Sequence, residues 1–296
     1  MEPVLVPSMD GFFLSCTLYR VERPKGLVQI IHGAAEHKGR YVEVARTLQQ
    51  NGYCTLVSDQ RGHGDSVDSR FVRGFMPSVA VLVEDQYRIS CFLKDLYPGI
   101  PLHLLAHSLG SNIARLYLGS HDGEISSLVM TGCPFHVPGL VFAKLIVRML
   151  MLLLSKHGYG FISSKLTTSA SLKWVCSDPK VIEERRYDPY RKNYRYQLAS
   201  ILTIFDSVQK LHAWKLYTCT NPDLPILMIT GSEDPISGGP AGLSDTKRSL
   251  RRIGYMHVQS KVFEGMRHEV LMELDKHKVF TLILTFLESS DKGRGS

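Results

Sequence analysis

The sequence lacks paired cysteine motifs, internal repeats, blocks of like charge and any apolar run long enough to cross a bilayer. Its six cysteines are Cys16, Cys54, Cys91, Cys133, Cys176 and Cys219, with no C-x-x-C pair and no Cys/His ligand spacing. Several lie in apolar runs such as Gly52-Tyr53-Cys54-Thr55-Leu56-Val57, so buried free thiols in a reducing cytosol are expected rather than a disulfide framework. The opening Met1-Glu2-Pro3-Val4-Leu5-Val6-Pro7 has no basic segment leading into a long apolar one, so no signal peptide is expected. No zinc-finger, basic-zipper or RNA-binding signature accompanies the basic residues, which are spread along the chain. The net charge of +7 and pI near 9.0 therefore read as a solvated basic surface, not as a nucleic-acid site. Contact with an anionic lipid surface is the other reading of that charge.

What is present is enough for one large α/β unit. The 296 residues are 44% hydrophobic and 21% charged, near globular averages, which excludes disorder and collagen-like repetition. Residues 12–19, 27–31, 53–57, 102–106 and 127–130 read as strands, and residues 41–50, 79–96 and the segment after Ser108 read as helices. Alternation of this kind predicts a mostly parallel central sheet covered by helices on both faces, with chemistry at the carboxyl ends of the strands.

The alternation breaks between Cys133 and Cys219. That stretch is helical, amphipathic and rich in Tyr and Arg, and it predicts an inserted helical cap over residues 133–219. The core would then comprise residues 1–132 and 220–296. Strand patterns resume at 226–230 and 258–263, with helices at 246–253 and 276–288. The apolar stretch Leu140–Leu154 carries Lys144 and Arg148 one turn apart and is too short to span a membrane. It reads either as an internally packed helix or as a cap helix facing lipid. Tyr187, Tyr190, Tyr194 and Tyr196 in the cap are open between acyl-site lining and core packing.

Ala106-His107-Ser108-Leu109-Gly110 follows an apolar strand and precedes a helix. This is the pattern of a nucleophile elbow, with Ala where the first glycine usually stands. The serine must sit in a sharp strained turn, so small residues two before and two after it prevent strand–helix clashes. The helix N-terminus then directs free N–H groups at the reacting atoms. A serine nucleophile needs a base and an orienting acid, which this fold supplies in the order Ser, acid, His from later strand ends. Strand 226–230 is followed by Gly231-Ser232-Glu233-Asp234-Pro235, and strand 258–263 by Glu264-Gly265-Met266-Arg267-His268-Glu269. His268 is the candidate base, since His257 precedes its strand, and Asp234 and Glu233 compete as acid. Backbone N–H groups of Leu109 and of Ala34, in the loop His32-Gly33-Ala34-Ala35-Glu36-His37, are the candidate oxyanion hole. His103 and His107 lack the glutamate of a zinc motif and lie on a strand, so no metal is expected. His32, His37 and His63 read as loop hydrogen-bonders, and Glu36 with Arg40 as a brace for the oxyanion loop.

Five blocks together carry a resemblance. They are His32-Gly33-Ala34-Ala35-Glu36-His37 with Arg40-Tyr41, Asp59-Gln60-Arg61-Gly62-His63-Gly64-Asp65-Ser66, Ala106-His107-Ser108-Leu109-Gly110, Gly231-Ser232-Glu233-Asp234-Pro235 and Arg267-His268-Glu269. The chain resembles α/β-hydrolases of the monoacylglycerol lipase and lysophospholipase-like family. That resemblance favours Asp234 over Glu233 and implies a Ser108–Asp234–His268 triad. It further implies hydrolysis of glycerol monoesters or lysophospholipids without a cofactor, in a cytoplasmic protein with peripheral membrane contact through the cap as an open alternative. An acyltransferase or peptidase on the same fold is the rival chemistry, and a silent hydrolase-like binding module the rival class.

Overall fold

The computed structural model describes residues 1–135, 139–158, 172–191 and 194–292. Eight strands form one sheet: β1 (Glu2–Pro7), β2 (Phe13–Tyr19), β3 (Gly26–Ile31), β4 (Tyr53–Ser58), β5 (Leu102–His107), β6 (Ser127–Thr131), β7 (Ile226–Gly231) and β8 (Val258–Phe263). Their order across the sheet is β1-β2-β4-β3-β5-β6-β7-β8, antiparallel for β1, β2 and β4 and parallel from β4 to β8. The α/β architecture expected from the alternating pattern is the one observed.

The apolar runs of β3 to β7 make sense in this position. Odd and even residues of each strand feed cores on opposite faces of the sheet, and both faces are covered. Leu27, Leu104, Leu128 and Met228 pack with Ile89 and Leu118 on one face. Val28, Leu105, Val129 and Leu227 pack with Val44, Leu48, Val279 and Ile283 on the other. The covering helices are α2 (Val79–Leu96), α3 (Leu109–His121) and, between β7 and β8, α7 (Gly239–Ile253) on the first face, with α1 (Val42–Gln50) and α8 (Lys276–Lys292) on the second.

Among the described residues three α-helices lie between β6 and β7: α4 (Leu140–Leu154), α5 (Pro179–Tyr187) and α6 (Leu198–Lys210). No strand occurs among the described residues of this stretch, and the remainder of the expected 133–219 segment lies outside them. A third apolar cluster joins it to the core, with Val147, Tyr194, Tyr196, Leu198 and Ile201 packed over Leu109 and Ile113. Tyr194 and Tyr196 are thus buried, whereas Tyr187 is exposed.

Two differences from the sequence reading have simple causes. β1 is absent from the strands read from the sequence, and it carries Pro3 and Pro7. It is an edge strand, where the missing proline N–H groups go unused. The helix expected from residue 246 begins at Gly239, because Pro240 sits in its first turn, where proline is tolerated.

β3 and β5 are neighbours whose connections leave in opposite directions, so their carboxyl ends form the crevice of the sheet. Gly110, in the first turn of α3, lies against the end of β3. A Cβ there would sit 2.2 Å from the Ile31 carbonyl oxygen and 2.7 Å from that of His32. Gly119, later in the same helix, would meet nothing closer than 3.4 Å. Gly110→Ala is expected to cost about 3 kcal/mol of stability through backbone displacement. Gly119→Ala should be neutral or stabilise by up to about 1 kcal/mol. Urea unfolding of both variants checks the contrast; equal effects would contradict it.

Candidate active site

The turn after β5 puts Ser108 at φ 52°, a left-handed conformation that costs a non-glycine residue about 1 kcal/mol or more. It is held there by its N–H donating to Thr131 O at 2.9 Å and by its carbonyl accepting from Ser111 N at 2.9 Å. Ala106, in place of the usual glycine, is fully buried between Ile31 and Met130 in the sheet, and its methyl group fits. The Ser108 side chain consequently projects from the carboxyl edge of the sheet at the N-terminus of α3.

His268 and Asp234 reach the same point from the loops after β8 and β7. Ser108 Oγ lies 2.9 Å from His268 Nε2, and His268 Nδ1 lies 3.0 Å from Asp234 Oδ1. A carboxylate only accepts, so Nδ1 carries the proton toward Asp234 and Nε2 is left to accept from the serine hydroxyl. Asp234 also accepts from Ile236 N at 2.8 Å and from the Thr230 hydroxyl at 3.1 Å. Burial alone would raise its pKa, but the His268 contact, Ile236 and Thr230 outweigh it and keep the carboxyl below its ordinary value. The His268 ring packs against His107 and Trp174, at centroid distances of 4.8 and 5.4 Å. Gly132 leaves room for it, since a Cβ at that position would approach the ring to 2.9 Å. Burial drives His107 down to about 3, so it is neutral and bonded through Nδ1 to the Thr131 hydroxyl.

The competing candidates go elsewhere. Glu233 faces solvent and pairs with Arg267 at 3.2 Å, and His257 pairs with Asp223 on the exposed surface. His32 and His63 bond to loop backbone and side chains, and His37 to Asp188.

The loop after β3 closes the site. Gly33 abuts Ser108, with a hypothetical Cβ 3.1 Å from that of the serine. Its N–H donates to Glu36 Oε2 at 2.8 Å, and the Ala35 N–H donates to the Tyr196 hydroxyl at 2.7 Å. Between them the Ala34 N–H donates to no described residue, and the same holds for the Leu109 N–H on the opposite side.

The Glu36–Arg40 brace read from the sequence is one part of a larger buried charge network beside this loop, whose other members the sequence does not signal. Glu36 accepts from the Tyr41 hydroxyl at 2.8 Å and pairs with Arg185 of α5 at 3.2 Å and Arg40 at 3.5 Å. Arg40 also binds Glu269 at 2.6 Å, and Arg185 binds the other oxygen of Glu269. Glu269 directly follows His268, so one guanidinium from the β6–β7 stretch spans the oxyanion loop and the histidine loop. Burial pushes Glu269 above its ordinary pKa while Arg185 and Arg40 pull against it. Glu36 faces the same burial, yet its surroundings, with His107, Arg40 and Arg185 closest, hold it well below the ordinary range. Glu36, His107 and Glu269 have ligand atoms within 4.8 Å of one another, but the two arginines already supply the positive charge there. A cavity of about 490 Å³ opens beyond Arg40, lined by Arg46, Glu184 and Lys276 among others, and does not include Ser108.

The chain matches known proteins over most of its length. Residues 22–275 match the family model described as serine aminopeptidase, S33. Human monoglyceride lipase is 28% identical over 274 residues, covering 90% of this chain and 82% of that protein. The monoacylglycerol lipase of Mycolicibacterium smegmatis is 26% identical over 269 residues, covering 90% and 89%. Among solved structures, a thermostable carboxyl esterase from Bacillus coagulans in complex with glycerol superposes with a TM-score of 0.87 at 22% identity, over 98% of both chains.

The charge network makes a prediction with a definite sign. Arg185→Met removes one of the two cations holding Glu269, so its carboxyl rises further above its value in the unfolded chain. A carboxyl shifted upward stabilises the fold at low pH and loses that contribution as pH rises through the folded-state value. The variant's deficit should therefore grow by about 3 kcal/mol between about pH 5 and pH 8, on top of a pH-independent part from the lost Arg185–Glu36 pair. Chemical denaturation across that range reads it; a wholly pH-independent deficit would contradict the assignment.

Proposed function

The chain belongs to the serine aminopeptidase S33 family as a monoglyceride-lipase-like α/β-hydrolase, and from that premise we propose that it hydrolyses fatty-acyl esters of glycerol or of lysophospholipids. The hydrogen-bonded series Ser108–His268–Asp234 is the observation that carries this reading. His268 Nε2 takes the hydroxyl proton as Ser108 Oγ attacks the acyl carbonyl carbon. Asp234 fixes the imidazole tautomer and stabilises the imidazolium that forms. The alkoxide of the tetrahedral intermediate accepts from the N–H groups of Leu109 and Ala34, which donate to no described residue and lie at the positive end of α3 and in the facing loop. His268 then delivers the proton to the departing alcohol. A water molecule, activated by the same histidine, cleaves the acyl-enzyme and releases the fatty acid. Every step uses groups of the chain itself.

A peptidase on the same scaffold is the rival that the family description keeps in view. A site for a peptide α-amino group needs an accessible carboxylate, and Glu36 and Glu269 beside Ser108 are buried and paired with arginines. The human and Mycolicibacterium smegmatis relatives, each matching nine-tenths of the chain, carry lipase names, which favours the ester.

Residues 133–219 act in this reading as the cap that receives the acyl chain. Val141, Phe142, Leu145, Met149, Leu152 and Leu153 are exposed along α4, the last two at 87% and 80%. A helix with that much open apolar surface fits against lipid, while no helix among the described residues is long and apolar enough to cross a membrane.

Two measurements test the proposal. With p-nitrophenyl esters of graded length beside monoacylglycerol and lysophosphatidylcholine, kcat/KM should rise with acyl length. Ser108→Ala should remove at least about 10⁴-fold of the activity, and Asp234→Asn should lower kcat by about 10³–10⁴-fold. Flat length dependence would remove the lipid assignment, and full activity in Ser108→Ala the serine mechanism. In flotation with anionic vesicles, the Leu152→Ser/Leu153→Ser double variant should bind at least about tenfold more weakly than wild type, given roughly 1.5–3 kcal/mol per large apolar side chain withdrawn from water. Unchanged binding would take α4 out of the membrane interface.

A further inference from the structure

The oxyanion loop contains a strain that its own residues do not balance. Ala35 adopts φ 54°, a left-handed backbone that its methyl group disfavours. Its N–H donates to the hydroxyl of Tyr196, 161 residues away in the stretch between β6 and β7. That hydroxyl is part of a longer series. It lies 2.9 Å from His63 Nε2, and His63 Nδ1 lies 3.1 Å from the Arg61 carbonyl oxygen. A carbonyl only accepts, so the His63 proton sits on Nδ1, and Nε2 must accept from the tyrosine. Burial keeps His63 neutral, with its pKa down to about 3. The series therefore runs one way: Ala35 N–H to Tyr196 O, Tyr196 O–H to His63 Nε2, and His63 Nδ1–H to Arg61 O. Tyr196 and His63, the two middle members, each accept once and donate once in the series.

Tyr196 is itself fixed from both sides. A Cβ on Gly74 would stand 2.0 Å from the Arg195 carbonyl oxygen, and Gln197 N donates to Gly74 O at 3.0 Å. The tyrosine ring packs edge-on against Tyr194 and His63, and only 2% of its surface is exposed. The consequence falls on the residue before Ala35. With Gly33 N–H held by Glu36 and Ala35 N–H held by Tyr196, the His32–Gly33 and Ala34–Ala35 peptide units on either side of the Gly33–Ala34 peptide have fixed orientations, and the carbonyl of that middle peptide lies 2.7 Å from His32 Nδ1. The Ala34 N–H is left pointing where neither of its neighbours can turn it.

We propose that Tyr196 is a positioning residue for ester hydrolysis, its hydroxyl clamping the strained Ala35 peptide so that the Ala34 N–H is preorganised for the oxyanion. The inference rests on the reading of Ser108 as nucleophile and Ala34 as oxyanion donor. It adds that the inserted stretch between β6 and β7 completes the oxyanion hole as well as covering the site. Tyr196 touches no reacting atom and acts through Ala35.

The test pairs a variant with a measurement on the unaltered protein. Tyr196→Phe keeps the ring and removes the clamp. Its kcat on a medium-chain ester should fall by about tenfold or more, short of the full 10²–10³ for losing an oxyanion donor. KM should stay within about twofold, and the acid limb of the pH–kcat profile, set by His268, should not move. A boronic acid that forms a tetrahedral adduct on Ser108 should lose affinity in step with kcat, which a general loosening of the fold would not single out. A kcat within about twofold of wild type, or a loss matching only the unfolded fraction, would overturn the proposal. Amide hydrogen exchange in the wild-type protein needs no variant: the Ala35 amide should exchange at least about tenfold more slowly than that of Ala34. Equal exchange would overturn the clamp. Absence of ester turnover in wild type would instead overturn the proposed function, while the exchange arm still decides whether Tyr196 holds the loop.

Discussion

The approach of α3 to the end of β3 is the contact on which the site depends. Gly110 has no side chain, and only for that reason can the first turn of the helix rest on the Ile31 and His32 carbonyl groups. The same approach forces the chain through Ser108 in a left-handed conformation and leaves the serine projecting from the sheet edge. It brings the loop beginning at Gly33 against Ser108 as well. The placement of Ser108 and of the facing backbone N–H groups is thus the product of one packing event, and tight packing here serves placement more than stability.

The second organising element is electrostatic. Two carboxyl groups and two guanidinium groups are buried where the oxyanion loop, the histidine loop and α5 meet. Desolvating four such groups costs several kcal/mol, which their mutual attraction and hydrogen bonds offset. Such a network contributes little net stability, but it tolerates few arrangements, since leaving any member unpaired is strongly unfavourable. Arg185 and Tyr196 grip the same short loop at Glu36 and Ala35, from either side of the stretch 188–195. Closure of the inserted region and geometry at Ala34 are in this way parts of one structure.

The sheet and the grouping of Ser108, Asp234 and His268 could be read from the sequence because each leaves a local trace. Ser108 sits between small residues at a strand–helix junction, and Asp234 and His268 each follow an apolar strand in the expected order. β1 and the first turns of α7 escaped because Pro3, Pro7 and Pro240 signal breaks unless one knows which N–H groups the fold leaves unused. The brace role read into Glu36 and Arg40 was partial. Their strongest partners, Glu269 and Arg185, are 229 and 149 residues away from Arg40 and Glu36, and such pairings leave no periodic signal in a single chain. Tyr196 was undecided between acyl-site lining and core packing, and it is a buried residue whose hydroxyl serves the loop. Its role follows from a backbone torsion at Ala35 that no composition or spacing displays.

The central claim is that Ser108 is a nucleophile activated by His268 and faced by oxyanion donors. Reaction with a fluorophosphonate tests it most directly, because the reagent needs an activated serine and places its phosphoryl oxygen where the ester oxyanion would lie. Peptide mass mapping should find a stoichiometric adduct on Ser108, reduced at least about 100-fold in rate when His268 is replaced by alanine. No adduct, or an adduct on another serine that persists in Ser108→Ala, would contradict the account.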